Sequence, residues 1–398
     1  MDAPTGLSRR ARRALPLMVL ALVVIAATGF AYLHPSWPSF PKAAAPARPA
    51  GPPLVSDRYQ VAYDFLTSTL GWALVVDPAS SSPRFWVFRT TDRAKHWQRQ
   101  FNGSASTPNA GPPKVQFFDR NNGLAALGGA AVVYRTADGG GHWTALAMPK
   151  LLLSSVFFSD PLHGWVLGST GSLDQIASSL FSTSDGGEHW VALPQPPAWF
   201  FAGKGGVADL AFRRPSEGWM AGETPWPSTV YSTIDGGLTW QAHPLPVTPG
   251  KGGFVQGGAP LAETNAYLLP GAGVLAVSVD ANGNGVAMTS FDGGSTWRRL
   301  PPPPGETTYG DFTFQDSFNW WAMRYGTLFK SSDAGQSWKE VAQQLDEWDY
   351  VPQIVDGQRA WAQMVAVLPN ANPPHGTGLA TTADGGLHWN PVNVPNPS

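Results

Sequence analysis

The 398-residue chain contains no cysteine. That excludes a disulfide scaffold, a zinc–thiolate site, an iron–sulfur cluster and a thiol nucleophile. Charge is scarce as well: Asp, Glu, Lys and Arg make up 14% of the residues, against about 25% in an ordinary soluble domain. Neither sign dominates, with 26 Lys+Arg against 28 Asp+Glu, so nothing points to nucleic acid. No phosphate-binding loop, dinucleotide fingerprint or G-x-S-x-G turn occurs, which removes the common nucleotide and hydrolase signatures. The abundant residues are Gly (44), Pro (38) and Trp (18), with 43% hydrophobic residues in all. So apolar a chain is not disordered. Its Gly/Pro/Trp bias argues against a helical protein and for many short strands joined by tight turns.

The N-terminus reads as an address. Arg9, Arg10, Arg12 and Arg13 precede the uncharged stretch from Ala14 to Leu33. A helix needs about 20 apolar residues to cross a bilayer core, and this run has 20. The positive-inside rule keeps the Arg cluster cytoplasmic and places the chain beyond Leu33 on the outer side. Residues 1–13 are thus read as a basic cytoplasmic tail and 14–33 as a transmembrane anchor. The rival is a cleaved signal peptide, with Gly29 and Ala31 as small residues before the cut, which would leave the remainder secreted. Residues 34–54 form a Pro/Ala-rich linker, because proline fixes φ and removes backbone donors. Beyond Leu33 there are 27 acidic and 22 basic residues, a balance that gives no attraction to an anionic membrane surface.

The rest of the chain repeats one motif, [S/T]-x-D-x-G-x-x-W, seven times. Its Asp residues are Asp92, Asp138, Asp185, Asp235, Asp292, Asp333 and Asp384, at intervals of 41 to 57 residues. The first copy alone lacks the glycine and has Ala94 instead. Upstream of most copies an aromatic or apolar residue leads to a large one seven positions on, usually after Gly: Phe65 to Trp72, Phe117 to Leu124, Phe158 to Trp165, Phe212 to Trp219, Phe314 to Trp321 and Ile354 to Trp361. The fifth unit has no clear copy, and Tyr267 is read in the place of its Trp.

Each unit contains short β-branched or aromatic segments bounded by turn residues, such as 61–66, 71–76, 85–91 and 97–101, which reads as four strands. The box is then the turn between the third and fourth strands. Its Asp accepts turn N–H groups, its Gly supplies positive φ, and its Trp packs back over the hairpin. Four-stranded units of about 40–50 residues, repeated four to eight times, define a β-propeller. Seven copies give seven blades, from near Val61 to near Val394, and residues 54–60 are read as a strand that helps close the ring.

These boxes are similar to the Asp-box, or bacterial neuraminidase, repeat. With the upstream F-x-x-x-x-x-G-W spacing, residues 55–396 most resemble the photosystem II stability/assembly factor family. That resemblance implies a seven-bladed ring outside an energised membrane that binds protein and performs no chemistry. The same boxes also occur in sialidases, xyloglucan-cleaving hydrolases and sortilin-type receptors.

Spacing tells against catalysis by the recurrent residues. Glycoside hydrolysis needs two carboxyl groups about 5–9.5 Å apart, and a ring spreads the seven box Asp residues around its periphery. His96, His142, His189 and His388, each before a box Trp, are separated by the same symmetry, whereas zinc ligands converge at about 2.0–2.1 Å from one ion. Phe212-Arg213-Arg214-Pro215 resembles a sialidase arginine motif in letters but lies between boxes three and four. Glu223, Asp209 and Asp311 are the carboxylates considered for another glycosidase. Asp280 to Gly285 matches the start of a calcium loop, but Phe291 stands where the bidentate Glu belongs. The contact candidates are Trp199-Phe200-Phe201, after Pro196-Pro197, and Trp226, between two prolines, because clustered loop aromatics serve as partner hot spots; covering the space between blades is the alternative. The sequence therefore predicts an all-β, seven-bladed, membrane-anchored propeller without catalytic centre, metal or cofactor. A protein partner is expected and carbohydrate is possible, and the competing class is a carbohydrate-active hydrolase. Trp240, read as a buried cap, would cost about 3–5 kcal/mol on replacement by Ala.

Overall fold

The computed structural model describes residues 54–397 except 57, 80–81, 106–111, 128–131, 171–176, 195–208, 223, 226–227, 248–260, 263, 280–284, 305–310, 325–326, 344–351 and 368–374. The proposed tail, anchor and nearly all of the linker lie outside the described residues. Among those described, no helix is long and apolar enough to cross a membrane.

Strands form where the repeats place them. Blade one shows the logic. Its inner strand Gln60–Phe65 alternates in burial, and its second strand Gly71–Asp77 is buried throughout. A strand buried on both sides reads as an unbroken apolar run, and GWALVV is one. Seven such antiparallel sheets, each with four strands in sequence order, span residues 60–104, 114–145, 152–192, 209–244, 264–299, 311–343 and 352–392. They are the seven blades. A separate two-stranded ribbon pairs Thr224–Pro225 with Leu261–Ala262.

In every blade the turn between strands one and two lies at the same end as the box. Hydrogen bonds lock the two turns together: Gly139 N–H donates to Asn121 O (2.7 Å), Gly186 to Leu162 (2.8 Å), Gly236 to Ser216 (2.9 Å) and Gly385 to Gln358 (2.8 Å). The ring therefore has a box face and an opposite face.

The Phe…Gly-Trp spacing is a joint between blades. Phe65 pairs with Gly71 across the inner hairpin, and its ring lies over that glycine, where an added Cβ would meet it at 2.2 Å. Phe117, Phe158 and Phe212 cover Gly123, Gly164 and Gly218 in the same way. The other face receives the Trp of the preceding blade at Phe65, Phe117 and Phe212, and Leu124 at Phe158. Trp72 stacks on Phe117 (3.5 Å between centroids, 8°), Trp165 on Phe212 (3.5 Å, 3°) and Trp361 on Phe65 (3.8 Å, 6°). The box Trp then meets the edge of that Phe: Trp97, Trp143, Trp190 and Trp240 lie 6.0–6.3 Å from their partners at 69–84°. Box Trp residues are thus only half-buried, which corrects the reading of Trp240 as a buried cap. The fully enclosed Trp rings, Trp72, Trp320, Trp321 and Trp361, belong to the second strands of their blades.

Blade five also differs from expectation. Leu268 pairs with Val274 and Tyr267 with Leu275, so Leu275, not Tyr267, holds the Trp position. The missing volume is made up by the next blade. Trp320 stands where other blades have the Gly, is fully buried, and packs with Leu275, Leu269 and Leu300.

Closure uses both ends of the ring. Val55–Ser56 pairs with the third strand of blade seven (Val55 with Thr377, Ser56 with Gly376), on the same edge as Asn390–Val392. The expected closing strand is therefore present, but shorter than residues 54–60. Trp97 Nε1–H donates to Asn393 O (2.9 Å), and Asn393 Nδ2 donates to Lys95 O (2.7 Å).

Stability can be read at two positions. Trp165→Ala should cost about 3–5 kcal/mol and Trp240→Ala clearly less, read by urea unfolding; equal losses would refute the stacking hierarchy. Arg93 is exposed and holds φ 66° where other boxes mostly have Gly, so Arg93→Gly should stabilise by about 1 kcal/mol.

Candidate functional site

The box turns carry most of the conspicuous polar residues, and each is a closed bonding unit. In all seven, the opening Ser or Thr hydroxyl donates to Asp Oδ1 at 2.7–3.0 Å. The same hydroxyl accepts the N–H two residues beyond the Asp at 2.8–3.0 Å. Oδ1 also accepts the N–H four residues beyond at 2.8–3.0 Å. The side chain of that fourth residue, His, Thr or Ser, reaches Oδ2 at 2.6–2.7 Å. This is why His recurs before the box Trp: His96, His142, His189 and His388 each bond the Asp of their own turn.

These bonds hold the carboxylates ionised. The His96 N–H and then its ring keep Asp92 at about 2. The Thr239 hydroxyl and N–H do the same for Asp235, as do those of Thr296 for Asp292, both at about 2. The His388 N–H holds Asp384 at about 2, and Asp138 and Asp185 lie lower still. Burial opposes the shift at Asp333, yet the Ser337 bonds still lower it.

Backbone carbonyls of the boxes are taken up by the preceding blade. Trp72 Nε1–H donates to Gly139 O (3.2 Å) and Trp165 Nε1–H to Gly236 O (2.9 Å). Arg135 Nη1 donates to Asp185 O (3.1 Å), and Lys330 Nζ lies 3.8 Å from the Trp321 ring centre. The sialidase-like letters are absorbed too: Phe212 is stacked, and Arg213 bonds Glu217 and the Gly273 carbonyl.

A second polar set joins the inner strands. Asp64 accepts Phe117 N–H (2.5 Å) from blade two and Gln353 Nε2 (2.7 Å) from blade seven. Burial pushes its pKa up, opposed by those bonds and by Lys114. Gln353 Oε1 accepts Phe65 N–H (2.8 Å), and Thr313 donates to Pro352 O (2.6 Å). Sequence reasoning missed this set, whose signal is a polar residue just before the Phe position.

One groove of about 350 Å³ opens between boxes two and three, lined by Arg135, Ala137, Asp138, His142, Leu146 and Glu188. No cluster of three or more metal-ligating side chains occurs among the described residues.

The contact candidates Trp199, Phe200, Phe201 and Trp226 lie outside the described residues, as do Glu223 and Asp280. The strands that flank the four aromatics end at the face opposite the boxes. Asp209 and Asp311 begin the inner strands of blades four and six.

No family model matches the chain, and no curated protein matches it. Solved structures do align. YCF48 bound to a D1 peptide aligns with a TM-score of 0.55 and 15% identity, over 87% of this chain and 99% of that one. YCF48 from Cyanidioschyzon merolae gives 0.50 and 17%, over 83% and 97%. The β-propeller domain of the Trilobed protease from Pyrococcus furiosus gives 0.55 and 10%, over 86% and 100%. Glycoside-hydrolase and polysaccharide-lyase propellers align at lower scores, 0.31 to 0.47. The chain is thus a seven-bladed β-propeller, a fold it shares with YCF48.

The box carboxylates set the acid limit. A carboxylate whose folded pKa lies below its unfolded value of 3.8 contributes stability that is complete above that value and lost as pH falls toward the folded one. With folded values of about 2 at Asp92, Asp235, Asp292 and Asp384, the melting temperature should hold down to about pH 4 and fall steeply from there to pH 2. A flat profile across that window would refute the assignment.

Proposed function

We propose that the chain is a membrane-anchored propeller on the outer side of the cytoplasmic membrane that binds a protein partner as a scaffold or assembly factor, with no catalytic centre of its own. The observation that carries this reading is the internal use of its recurrent polar residues. Each box Asp, with its Ser/Thr and His, is bonded within one turn, and these turns sit on separate blades. Groups fixed in this way hold the ring rigid and are not positioned to share one scissile bond.

YCF48, of the same fold, has been seen with a peptide bound, which supports peptide or protein recognition as the class of activity. The aromatic run Trp199-Phe200-Phe201 and Trp226 are the proposed contacts. Their flanking strands lead to the face opposite the boxes, and bulky aromatics are the side chains that most often dominate protein interfaces. Residues 1–13, 14–33 and 34–54 serve as tail, anchor and spacer. The rival reading, a carbohydrate-active hydrolase, needs two carboxylates at that same face.

Cross-linking in intact membranes tests the proposal. The full chain should capture a defined protein, and the variant carrying Trp199→Ala, Phe200→Ala, Phe201→Ala and Trp226→Ala should lose it while melting at an unchanged temperature. Turnover of any chromogenic glycoside, abolished by one carboxylate substitution, would overturn the non-catalytic reading. Release of the chain by alkaline carbonate would refute the anchor.

A further inference from the structure

Six of the seven seams between blades hold a buried indole. Trp72, Trp165, Trp219, Trp321 and Trp361 come from the preceding blade, and Trp320 from the following one. Among the described residues, the seam between blades two and three alone has a smaller side chain in that place, Leu124 against Phe158. The blades do not close over the difference. A void of about 20 Å³ remains between Leu124, Val133, Val156 and Phe158, and the groove of about 350 Å³ opens at the box end of the same seam, beside Leu146. Side chains that line a void have no partner atoms on that side and lose those dispersion contacts.

The polar link at this seam differs as well. At the seams on either side an indole Nε1–H donates to the glycine carbonyl just past the box Asp: Trp72 to Gly139 (3.2 Å) and Trp165 to Gly236 (2.9 Å). Leu124 has no donor. The corresponding Gly186 carbonyl is taken by Arg135 Nη1 at 3.4 Å, which also reaches Asp185 O at 3.1 Å. A buried donor is thus replaced by a guanidinium at the rim of the groove. The Arg135 side chain is 22% exposed and lies 3.8 Å from the exposed Glu188, an ion pair of the kind that water and salt weaken. Toward the centre of the ring, Gln116 Nε2 reaches Phe158 O only at 3.3 Å, where the seam before it has Phe117 N–H on Asp64 at 2.5 Å.

Proteins open locally where buried contacts are fewest, and a closed ring opens by parting one seam. We infer that this ring opens between blades two and three, with Arg135 as the clasp. Opening bares Leu124, Val133 and Phe158 beside the groove, while the six seams filled by indole rings stay shut. The ring then acts as a clip that widens without unfolding a blade.

The absence of cysteine makes the joint measurable. Val133, Val87 and Val230 each stand three residues before a box Thr and are fully buried, at the seams two–three, one–two and four–five. Each is replaced by Cys in the full-length chain, and labelling by iodoacetamide is timed without denaturant. Val133→Cys should react at least about tenfold faster than Val87→Cys or Val230→Cys. Adding Arg135→Gln should raise the Val133→Cys rate severalfold and leave the Val87→Cys rate unchanged. Equal rates at the three sites would overturn the joint, and a Val133→Cys rate indifferent to Arg135→Gln would overturn the clasp. Hydrogen exchange checks the unsubstituted chain. Gly123–Leu127 and Val132–Thr136 should exchange ahead of Gly71–Asp77 and Arg84–Thr90; a uniform or reversed order would also overturn the joint.

Discussion

One joint holds the blades together and the rest depends on it: at three of the seven seams a Phe of one blade lies flat against the Trp of the blade before. Stacked aromatic pairs contribute about 0.5–1.5 kcal/mol beyond the area they bury. Here the stack also sets the distance between sheets. The glycine beneath the Phe is the geometric condition for that stack, because any side chain there would lift the ring off its own hairpin. Where the motif is broken, as between blades five and six, the volume is restored from the other side by Trp320. The joint is conserved in space rather than residue by residue. Leu124 against Phe158 and Trp321 against Ile354 fill it with other pairs.

The polar framework is subordinate to that packing. Each box turn ties its own two ends, and boxes two, three and four also offer carbonyls to the neighbour's Trp or Arg. Hydrogen bonds that replace water contribute modestly one by one, yet leaving a buried partner unsatisfied is costly. Seven nearly identical networks make the box face stiff. The strands that flank the unusual aromatics meet the opposite face.

Much of the architecture is legible in the sequence because its signals are local. Turn residues recur at fixed offsets and strands alternate between them, so blade number and limits come from counting. The roles of the two Trp classes are not legible. Burial depends on which blade a ring faces, and Trp240 and Trp165 look alike in a one-dimensional pattern. For the same reason spacing misplaces Tyr267: its partner Leu275 is fixed by strand register, not by spacing alone. The inner set of Asp64, Gln353 and Thr313 is invisible because its members join residues as far as 289 positions apart. The contact candidates rest on sequence, since Trp199 to Phe201 and Trp226 lie outside the described residues.

The seam between the first and last blades has a consequence for biogenesis. Trp97 and Asn393 are 296 positions apart, and Val55–Ser56 completes a sheet whose other strands come after residue 351. A polypeptide made from its amino end cannot complete the circle until the carboxyl end has been added. Until then it is an open stack of hairpins with an unmet edge at each end. Late capture of the first strand by the last blade is therefore built into the order in which this ring is made.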